Sequence, residues 1–347
     1  MIRYYGCDAH KRYSMFVAMN ERGETGRPVR VEHTRAMYRE FLGGLAPGSP
    51  IAIESVGNWY WMIEEMERAG HEPQLAHAGK AKLMMGQINK TDKLDAQGLA
   101  TLLRNGTLPS VWIPPGELRD QRELPRMRMS LVSIRTMVKN RIHATLAKYA
   151  IEIEEASDIF GVKGREILAK RLEELPPYTR QSVETQLELL DEVEAHIETC
   201  EKEIREVVKT TPEMTLLMTM PGVGPILAVV IALEIGDVNR FPGPDHLASY
   251  AGTVPRVRSS GGKTSFGRVR PDVNRYLKWA LVEAANCIVL NQRHWGERHV
   301  VRLYQRIRDR RGHAKAIVAV ARHLAEAAYW VLKKNGPYRE PISSSQE

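Results

Sequence analysis

The chain has 347 residues, a formal net charge of +8 and a pI of about 9.3, with 43% hydrophobic and 27% charged residues. This composition is that of a soluble globular protein with room for two or more domains, and it excludes a disordered or fibrous chain. No apolar run reaches the ~20 residues that cross a bilayer, so we expect no contact with a membrane. Three cysteines without paired or metal-ligand spacing indicate a cytoplasmic protein.

Charge is unevenly distributed along the chain. Residues 119–150 contain 8 bases and 2 acids (net +6), residues 151–208 contain 7 bases and 16 acids (net −9), and residues 251–347 contain 19 bases and 7 acids (net +12). Two basic blocks on either side of an acidic block favour a polyanionic partner over a uniformly solvated surface. Nucleic acid is therefore the partner that we expect.

The first 110 residues alternate between strand and helix patterns. We predict strands at 2–8, 13–19, 28–32, 51–54 and 73–77, and helices at 34–46, 57–69 and 91–104. Early hairpin-like strands followed by strands that alternate with helices predict an α/β domain with a mixed sheet.

Four carboxylates occupy the ends of these elements. Asp8 and Glu54 close apolar strands, and Asp92 and Asp95 lie three residues apart at the start of a helix, on one face. Rigidly placed carboxylates bind hard cations such as Mg²⁺ and can support metal-assisted cleavage of a phosphodiester. Each acid alone has a structural alternative, namely a turn cap, a helix N-terminal acid or an ion pair. His10 beside Asp8 could transfer protons, although a structural histidine at a strand end is the stronger interpretation.

Two long helical patterns follow the break at Pro114-Pro115, at 117–149 and at about 180–209. Apolar residues recur at three- and four-residue spacings in the first (Leu124, Met127, Leu131, Ile134, Val138, Ile142, Leu146) and at heptad spacing in the second (Leu190, Val193, Ile197, Cys200, Ile204, Val207). Such seams predict a coiled-coil region over 117–209 that links the domains or dimerises. An antiparallel pair of helices within one chain is the alternative; we place self-association slightly ahead, because little else nearby could cover the seams.

A glycine turn lies between helical runs at 212–219 and 225–235. The segment Pro221-Gly222-Val223-Gly224 is typical of helix-hairpin-helix modules, in which glycines allow a DNA phosphate to approach the N-terminus of the next helix. A tight helix–helix turn without a ligand is equally compatible with this pattern.

An arginine-rich segment at 251–263 contains two adjacent serines, Ser259 and Ser260, before Gly261-Gly262. A serine in a flexible, cationic loop could attack phosphorus if a base or metal activates it. Spacing alone favours a solvated loop whose serines only hydrogen-bond phosphates. The candidate nucleic-acid contacts here are Arg256, Arg258, Lys263, Arg268 and Arg270. The polar tail, 336–347, is predicted to be disordered.

These motifs together resemble the DEDD transposases of insertion sequences, the IS110 family. The resemblance rests on Gly-x-Asp8, the run Ile-Glu54-Ser-x-Gly-Asn-Trp-Tyr, and Lys-Thr-Asp92-Lys-Leu-Asp95-Ala in the first part of the chain. In the last part it rests on Pro-Gly-Val-Gly-Pro, on Leu-Ala-Ser-Tyr-Ala-Gly, and on Ser260-Gly-Gly-Lys. It spans nearly all of the chain, with two departures. Val273 stands where the family usually has glycine before Asn274, and Ala9-His10-Lys11 after Asp8 differs from the commoner small-residue version.

The resemblance implies a RuvC-like (RNase H-type) domain over 1–110, with Mg²⁺ or Mn²⁺ held by Asp8, Glu54, Asp92 and Asp95. It implies a coiled-coil region over 117–209 and a mostly α-helical C-terminal transposase domain over 212–335, with a helix-hairpin-helix-like element. Family members recombine donor and target DNA under the guidance of a structured bridge RNA, in bacterial or archaeal cytoplasm near the nucleoid. Ser260, with Ser259 as the fallback, corresponds to a serine that attacks DNA in a site shared between protomers of a dimer or a dimer of dimers.

A different enzyme class remains open on the sequence alone. The same acids could serve a metal-dependent endonuclease of the Holliday-junction type, which uses water and forms no covalent serine link. A degenerate, non-enzymatic scaffold for nucleic acid is less compatible with four intact carboxylates.

Overall fold

A computed structural model describes residues 3–55, 57–86, 91–209, 211–270, 272–296 and 298–341. Ile2 of the first predicted strand, Lys90 of the acidic motif, and residues 342–347 of the predicted tail lie outside these ranges. The chain divides into two compact units, Met1–Gly116 and Glu117–Glu347. The finer division of the second unit at residues 209–212 stays a prediction.

The first unit is built on a six-stranded mixed sheet. Its strands are β1 (Arg3–Ala9), β2 (Tyr13–Asn20), β3 (Val29–Glu32), β4 (Pro50–Glu54), β5 (Glu72–Ala76) and β6 (Ser110–Val111). They are ordered β3-β2-β1-β4-β5-β6; the pairs β1–β4 and β4–β5 are parallel, and the others are antiparallel. The predicted mixed sheet is confirmed, and this order is compatible with the predicted RuvC-like domain.

Helices cover both faces of this sheet. They are α1 (Arg35–Gly43), α2 (Trp59–Arg68), α3 (Ala78–Met85) and α4 (Asp92–Arg104). Buried residues of α1 and α2, such as Tyr38 and Ile63, share a core with Cys7 and Ile53. On the opposite face, Leu99 of α4 packs on the alanines of β4 and β5. Alternate strand residues point to opposite faces, so each strand contributes to both cores.

The second unit is helical with one small sheet. Its first helices are α5 (Gly116–Gln121), α6 (Glu123–Lys148), α7 (Val162–Arg171), α8 (Pro177–Lys209), α9 (Pro212–Leu217), α10 (Pro225–Ile235) and α11 (Pro244–Tyr250). The strands β7 (Pro255–Ser260) and β8 (Lys263–Val269) come next. The last helices are α12 (Arg275–Leu290), α13 (Gln292–Trp295), α14 (His299–Arg311) and α15 (His313–Lys333). Short 3-10 turns lie at Leu172–Glu174 and Val238–Arg240.

Helices α6 and α8 form an antiparallel pair within the chain. The pairs Arg128–Glu201 and Lys139–Glu194 join them along their length. The heptad seam of α8 is buried from Leu190 to Ile204. Leu190 shares a core with Val138, Ile142 and Leu146 from the second half of α6, whereas Ile204 and the partly buried Val207 pack in the core of the C-terminal region. The first half of the predicted α6 stripe is more open, with Met127 50% exposed. Much of the α8 seam is thus covered intramolecularly, so it gives no argument for self-association, which stays a prediction.

The core of the C-terminal region is formed by α10, α12 and α15. Helix α10 is apolar on almost all sides and is buried over most of its length, as expected for a central helix. A helix–turn–helix arrangement of α9 and α10 surrounds the predicted glycine turn.

One expectation needs correction here. The serine segment, predicted to be a loop, is an antiparallel β-hairpin, because Ser260 pairs with Lys263 across a Gly-Gly turn. In the described part of the C-terminal tail, Tyr338 donates its backbone N–H to Thr219 Oγ1 at 2.8 Å, and Glu340 accepts from the His299 N–H at 3.1 Å. The disorder predicted for 336–347 stays a prediction. None of the helices in the described ranges has the length and apolar character of a membrane span.

Candidate active site

Asp8 lies at the end of β1 and is 8% exposed. Its neighbour Cys7 belongs to the core under α1 and α2. Side chains alternate along a strand, so Asp8 points to the other face, together with Gly6. Complete burial raises the pKa of the Cys7 thiol to about 12, since desolvation disfavours the thiolate. Cys7 is therefore a structural thiol.

Glu54 ends the neighbouring parallel strand. Cys7 is in register with Ile53, so the next pair of positions along the two strands is Asp8 and Glu54. Because the strands are parallel, both side chains lie on the same face of the sheet, at the edge where the two strands end. The register thus makes Asp8 and Glu54 neighbours across two strands, and their convergence on one metal ion stays a prediction.

Helix α4 brings Asp92 to this face. Thr91 caps the helix by accepting from the Leu94 N–H, and Asp92 and Asp95 occupy the first turn, where negative charge is stabilised. The helix approaches the sheet closely at Gly6, where a Cβ atom would overlap the carbonyl oxygen of Ala96. The missing side chain of Gly6 therefore allows the close approach of α4.

A cluster of three side chains forms at this position. His10 Nε2 lies 3.0 Å from Asp8 Oδ2 and 3.2 Å from Asp92 Oδ2. One ligand atom from each of the three residues lies within 4.8 Å of the other two. Adjacent ligands of an octahedral cation with ~2.1 Å bonds are ~3.0 Å apart, so these spacings fit a divalent ion. The donor set, two carboxylate oxygens and an imidazole nitrogen, also suits such an ion.

Tyr13 adds a hydrogen bond to this cluster. Its hydroxyl donates to Asp92 Oδ2 at 2.8 Å, and the Arg30 guanidinium lies 3.8 Å from the centre of its ring. The Tyr13 bond, with His10 contributing, lowers the pKa of Asp92, which therefore stays a carboxylate at neutral pH. In turn, the hydrogen bond to Asp92 raises the pKa of Tyr13.

The observed cluster differs from the predicted set of acids. Among the described residues, it contains Asp8, His10 and Asp92. Glu54 follows from the strand register as the neighbour of Asp8, and Asp95 lies three residues after Asp92 in the first turn of α4. Sequence reasoning treated His10 mainly as structural. The signal that could have identified it is the Asp-x-His spacing at the end of β1.

The second predicted element, the β7–β8 hairpin, carries Ser260 at its tip. Gly261 and Gly262 form the two-residue turn with φ angles of +57° and +77°, which favour glycine. The cross-strand pairs Arg258–Ser265 and Ser260–Lys263 define one face of the hairpin, and Ser259–Thr264 and Val257–Phe266 define the other. Ser260 is therefore on the cationic face and Ser259 on the apolar face.

The two serines also differ in their contacts. Ser259 Oγ lies 3.3 Å from Thr264 Oγ1 across the strands. Within the described ranges the Ser260 hydroxyl makes no hydrogen bond, and the residue is exposed. The orientation and freedom of Ser260 make it the better candidate nucleophile.

The predicted phosphate contacts differ in availability. Arg256, Arg258, Lys263 and Arg268 are exposed along the hairpin. Arg270 is instead bound by Asp272 through both guanidinium branches, with its Nε 2.9 Å from Asp272 Oδ1. This pairing raises the pKa of Arg270 and leaves less of its charge for an external phosphate.

The two glycines of the 221–224 turn have different environments. Gly222 is buried with φ +74°, and a Cβ atom there would overlap the carbonyl oxygen of Ala284 in α12. Gly224, the N-cap residue of α10, is exposed with open space around its Cα. Gly222 therefore serves packing, and Gly224 is the position that an approaching phosphate could reach.

Comparison with known proteins agrees with these motifs. Residues 5–151 match the DEDD transposase family of IS110 elements, described as "Transposase", and residues 214–300 match the "Transposase IS116/IS110/IS902 family". The "Transposase for insertion sequence element IS1111A" of Coxiella burnetii is 27% identical over 342 residues, which are 97% of this chain and 92% of that protein.

Two further relatives extend this picture. A "Probable family 20 transposase" of Pseudomonas aeruginosa is 27% identical over 74% of this chain and 75% of its own length. A "Pilin gene-inverting protein" of Moraxella bovis is 29% identical over 40% of this chain and 44% of its own length. The DEDD family implies the use of a divalent metal, which the Asp8–His10–Asp92 geometry fits. The chain belongs to the IS110/IS116/IS902 family of DEDD transposases, enzymes that cleave and rejoin DNA.

Proposed function

We propose that this chain is an RNA-guided, insertion-sequence recombinase that cuts and rejoins DNA with Ser260 as its nucleophile. One observation carries the proposal: Ser260 lies on the same face of the β7–β8 hairpin as Arg258 and Lys263. Two cations beside a free hydroxyl would hold a scissile phosphate against the attacking oxygen.

The serine step is a transesterification. Ser260 Oγ forms a bond to phosphorus while the bond from phosphorus to a deoxyribose oxygen breaks, and the serine proton ends on that oxygen. Attack by a deoxyribose hydroxyl on the phosphoserine reverses the step and rejoins the strand. One phosphodiester replaces another, so no external energy source is required.

The acidic site supports this step from the first unit. Asp8, His10 and Asp92, whose ligand atoms lie close together, would hold Mg²⁺ or Mn²⁺, with Glu54 and Asp95 as the further acids of the proposed set. When bound, a divalent cation stabilises the charge that develops on phosphate oxygens in the transition state. In the proposed complex the acids and the serine come from different protomers.

Sequence recognition is assigned to a structured guide RNA that pairs with donor and target DNA. Base pairing would then read the DNA sequence, and protein side chains would hold the sugar-phosphate backbones. This division of roles suits a chain whose lysines and arginines concentrate in residues 119–150 and 251–347. Handling two duplexes at once favours a dimer or a dimer of dimers. Sequencing RNA that copurifies with the protein tests the guide directly; a random mixture of cellular RNA would contradict it.

A cleavable DNA substrate that traps the covalent intermediate tests the nucleophile. Trypsin releases residues 259–263 as one peptide, and we expect this peptide to carry the DNA adduct in the wild type and in Ser259→Ala. Ser260→Ala should bind DNA normally and form no adduct.

The same substrate separates the alternative function. A Holliday-junction-type endonuclease would cut with Ser260→Ala as fast as with the wild type and would leave no adduct on either protein. Asp8→Ala should abolish cutting in both cases, which makes it the control for the acidic site.

A further inference from the structure

The hairpin that carries Ser260 joins the rest of the second unit through two short legs. The outgoing leg follows Tyr250, and the returning leg ends at Asn274, the N-cap residue of α12. The legs touch, since a Cβ atom at Gly252 (φ +66°) would lie only 2.6 Å from Val273 Cγ2. Gly252 on the outgoing leg therefore leaves the space that the Val273 side chain of the returning leg occupies.

Asn274 connects these legs to the core. Its backbone N–H donates to the Tyr250 carbonyl at 2.9 Å, and its side-chain Oδ1 accepts from the N–H groups of Tyr276 and Leu277 at 3.1 and 2.9 Å. Its Nδ2 group donates to Glu234 Oε2 at 2.8 Å and to the Tyr250 hydroxyl at 3.0 Å. All four hydrogen-bonding positions of the amide are thus used.

Glu234 makes this anchor rigid. The residue is 1% exposed near the end of α10, where an uncompensated carboxylate would be very costly. Arg126 of α6 holds both of its oxygens, at 2.8 and 3.0 Å. Arg122 donates to the backbone carbonyls of Leu233 and Glu234 at 2.8 and 3.2 Å. The asparagine is therefore fixed to a buried, charge-compensated network that spans three helices.

We infer that Asn274, held by Glu234, is a positioning residue that sets the angle at which the hairpin presents Ser260. The inference rests on the proposed role of Ser260, because only then does hairpin orientation govern strand transfer. The hairpin itself is exposed along its length, so its orientation is determined at its base. A misplacement of about 1 Å at a reacting atom can cost ~100-fold in rate.

Asn274→Asp separates positioning from helix capping. Aspartate keeps the oxygen that caps α12 but places a second carboxylate against Glu234. We expect strand transfer to fall ~10- to 100-fold at saturating DNA, with little change in the Kd for DNA. In hydrogen exchange of the full chain, amides of 255–269 should exchange faster. Asn291→Asp, at the other end of α12, is the matched control and should change neither readout.

A double-mutant cycle provides the decisive comparison. Glu234→Gln combined with Asn274→Asp again pairs an amide with a carboxylate, but the residue at 234 now donates the hydrogen bond and the residue at 274 accepts it. We expect the double variant to be at least ~10-fold faster in strand transfer than Asn274→Asp alone. If Asn274 only caps α12, Asn274→Asp will leave both readouts at wild-type values and show no coupling to Glu234, which would overturn the inference. Hydrogen exchange does not depend on Ser260 chemistry, so a failure of the serine adduct test would be recognised separately.

Discussion

His10 Nε2 lies 3.2 Å from Asp92 Oδ2, although the two residues are 82 positions apart in the sequence. The β1–β2 turn presents the imidazole, and the capped start of α4 presents the carboxylate. Asn58 holds the turn by donating to the His10 carbonyl at 3.1 Å. The candidate metal site is therefore closed by a nitrogen ligand that the pattern of four acids did not include.

His10→Ala should weaken the binding of Mn²⁺ by about tenfold, equivalent to ~1.4 kcal/mol, and that of Mg²⁺ by less. An imidazole nitrogen favours transition metals, whereas Mg²⁺ prefers oxygen ligands. Titration of Mn²⁺ by electron paramagnetic resonance measures the effect without DNA. His246→Ala, an exposed histidine in the other unit, is the control. Equal affinities in wild type and His10→Ala would remove His10 from the site.

Neutralising the cationic face of the hairpin should reduce the salt dependence of DNA binding. We expect Arg258→Gln with Lys263→Gln to reduce the slope of log K against log salt by about 1 to 2, since each phosphate contact contributes ~0.9. Arg270→Gln should change the slope less, because Asp272 already compensates its charge. Fluorescence anisotropy of labelled DNA between about 50 and 200 mM salt provides the measurement. Identical slopes for all variants would place the DNA elsewhere.

The two glycines of the 221–224 turn should respond differently to the same substitution. Gly222→Ala adds a methyl group at a left-handed position against α12 and should lower the free energy of unfolding by about 1–3 kcal/mol. Gly224→Ala adds it in open space and should change stability by less than ~0.5 kcal/mol. Urea unfolding measures both. A stable Gly222→Ala variant would mean that the turn is not packed as described.

Glu65 should make the first unit sensitive to acid. This carboxylate is 1% exposed and is held by Arg39 (Nε–Oε2, 2.7 Å), Arg35 and Arg68. These bonds, that of Arg39 foremost, lower its pKa from 4.5 to about 2. A depressed pKa stabilises the folded state above the unfolded pKa, and this stabilisation is lost as the pH falls from 4.5 towards 2.

Comparison with Glu65→Gln isolates this contribution. The variant should be less stable than the wild type by about 2 kcal/mol at neutral pH, since the arginines are half-exposed and partly screened. The difference should shrink below pH 4.5, the unshifted pKa. Urea-unfolding curves recorded from neutral pH down to about pH 2 and followed by tryptophan fluorescence provide the test. Glu64→Gln is the neighbouring control, and a pH-independent difference would contradict the assignment.

The sequence predicted most of the sheet and helix α4, because β1, β4 and α4 have a clear hydrophobic period, but it did not predict β6. That all four acids form one site stays a prediction. It missed the β7–β8 hairpin, whose residues are exposed on both faces and so show no apolar alternation. His10 and Glu65 were missed for another reason. The contacts His10–Asp92 and Glu65–Arg39 join residues 82 and 26 positions apart, and no local pattern encodes them. The only local signal for His10 is its Asp-x-His spacing from Asp8. Glu234 did leave a signal, as a lone acid in the apolar run of α10.

Gly6 has a consequence for how this site could change. The carbonyl of Ala96 occupies the volume that any side chain at position 6 would need. A substitution there would push the start of α4 away from β1 and separate Asp92 from both Asp8 and His10, with every ligand still present. Loss of metal binding can therefore arise at a residue that bears no functional group, two positions before the first carboxylate. Inactive copies of such an element need not show a mutated ligand.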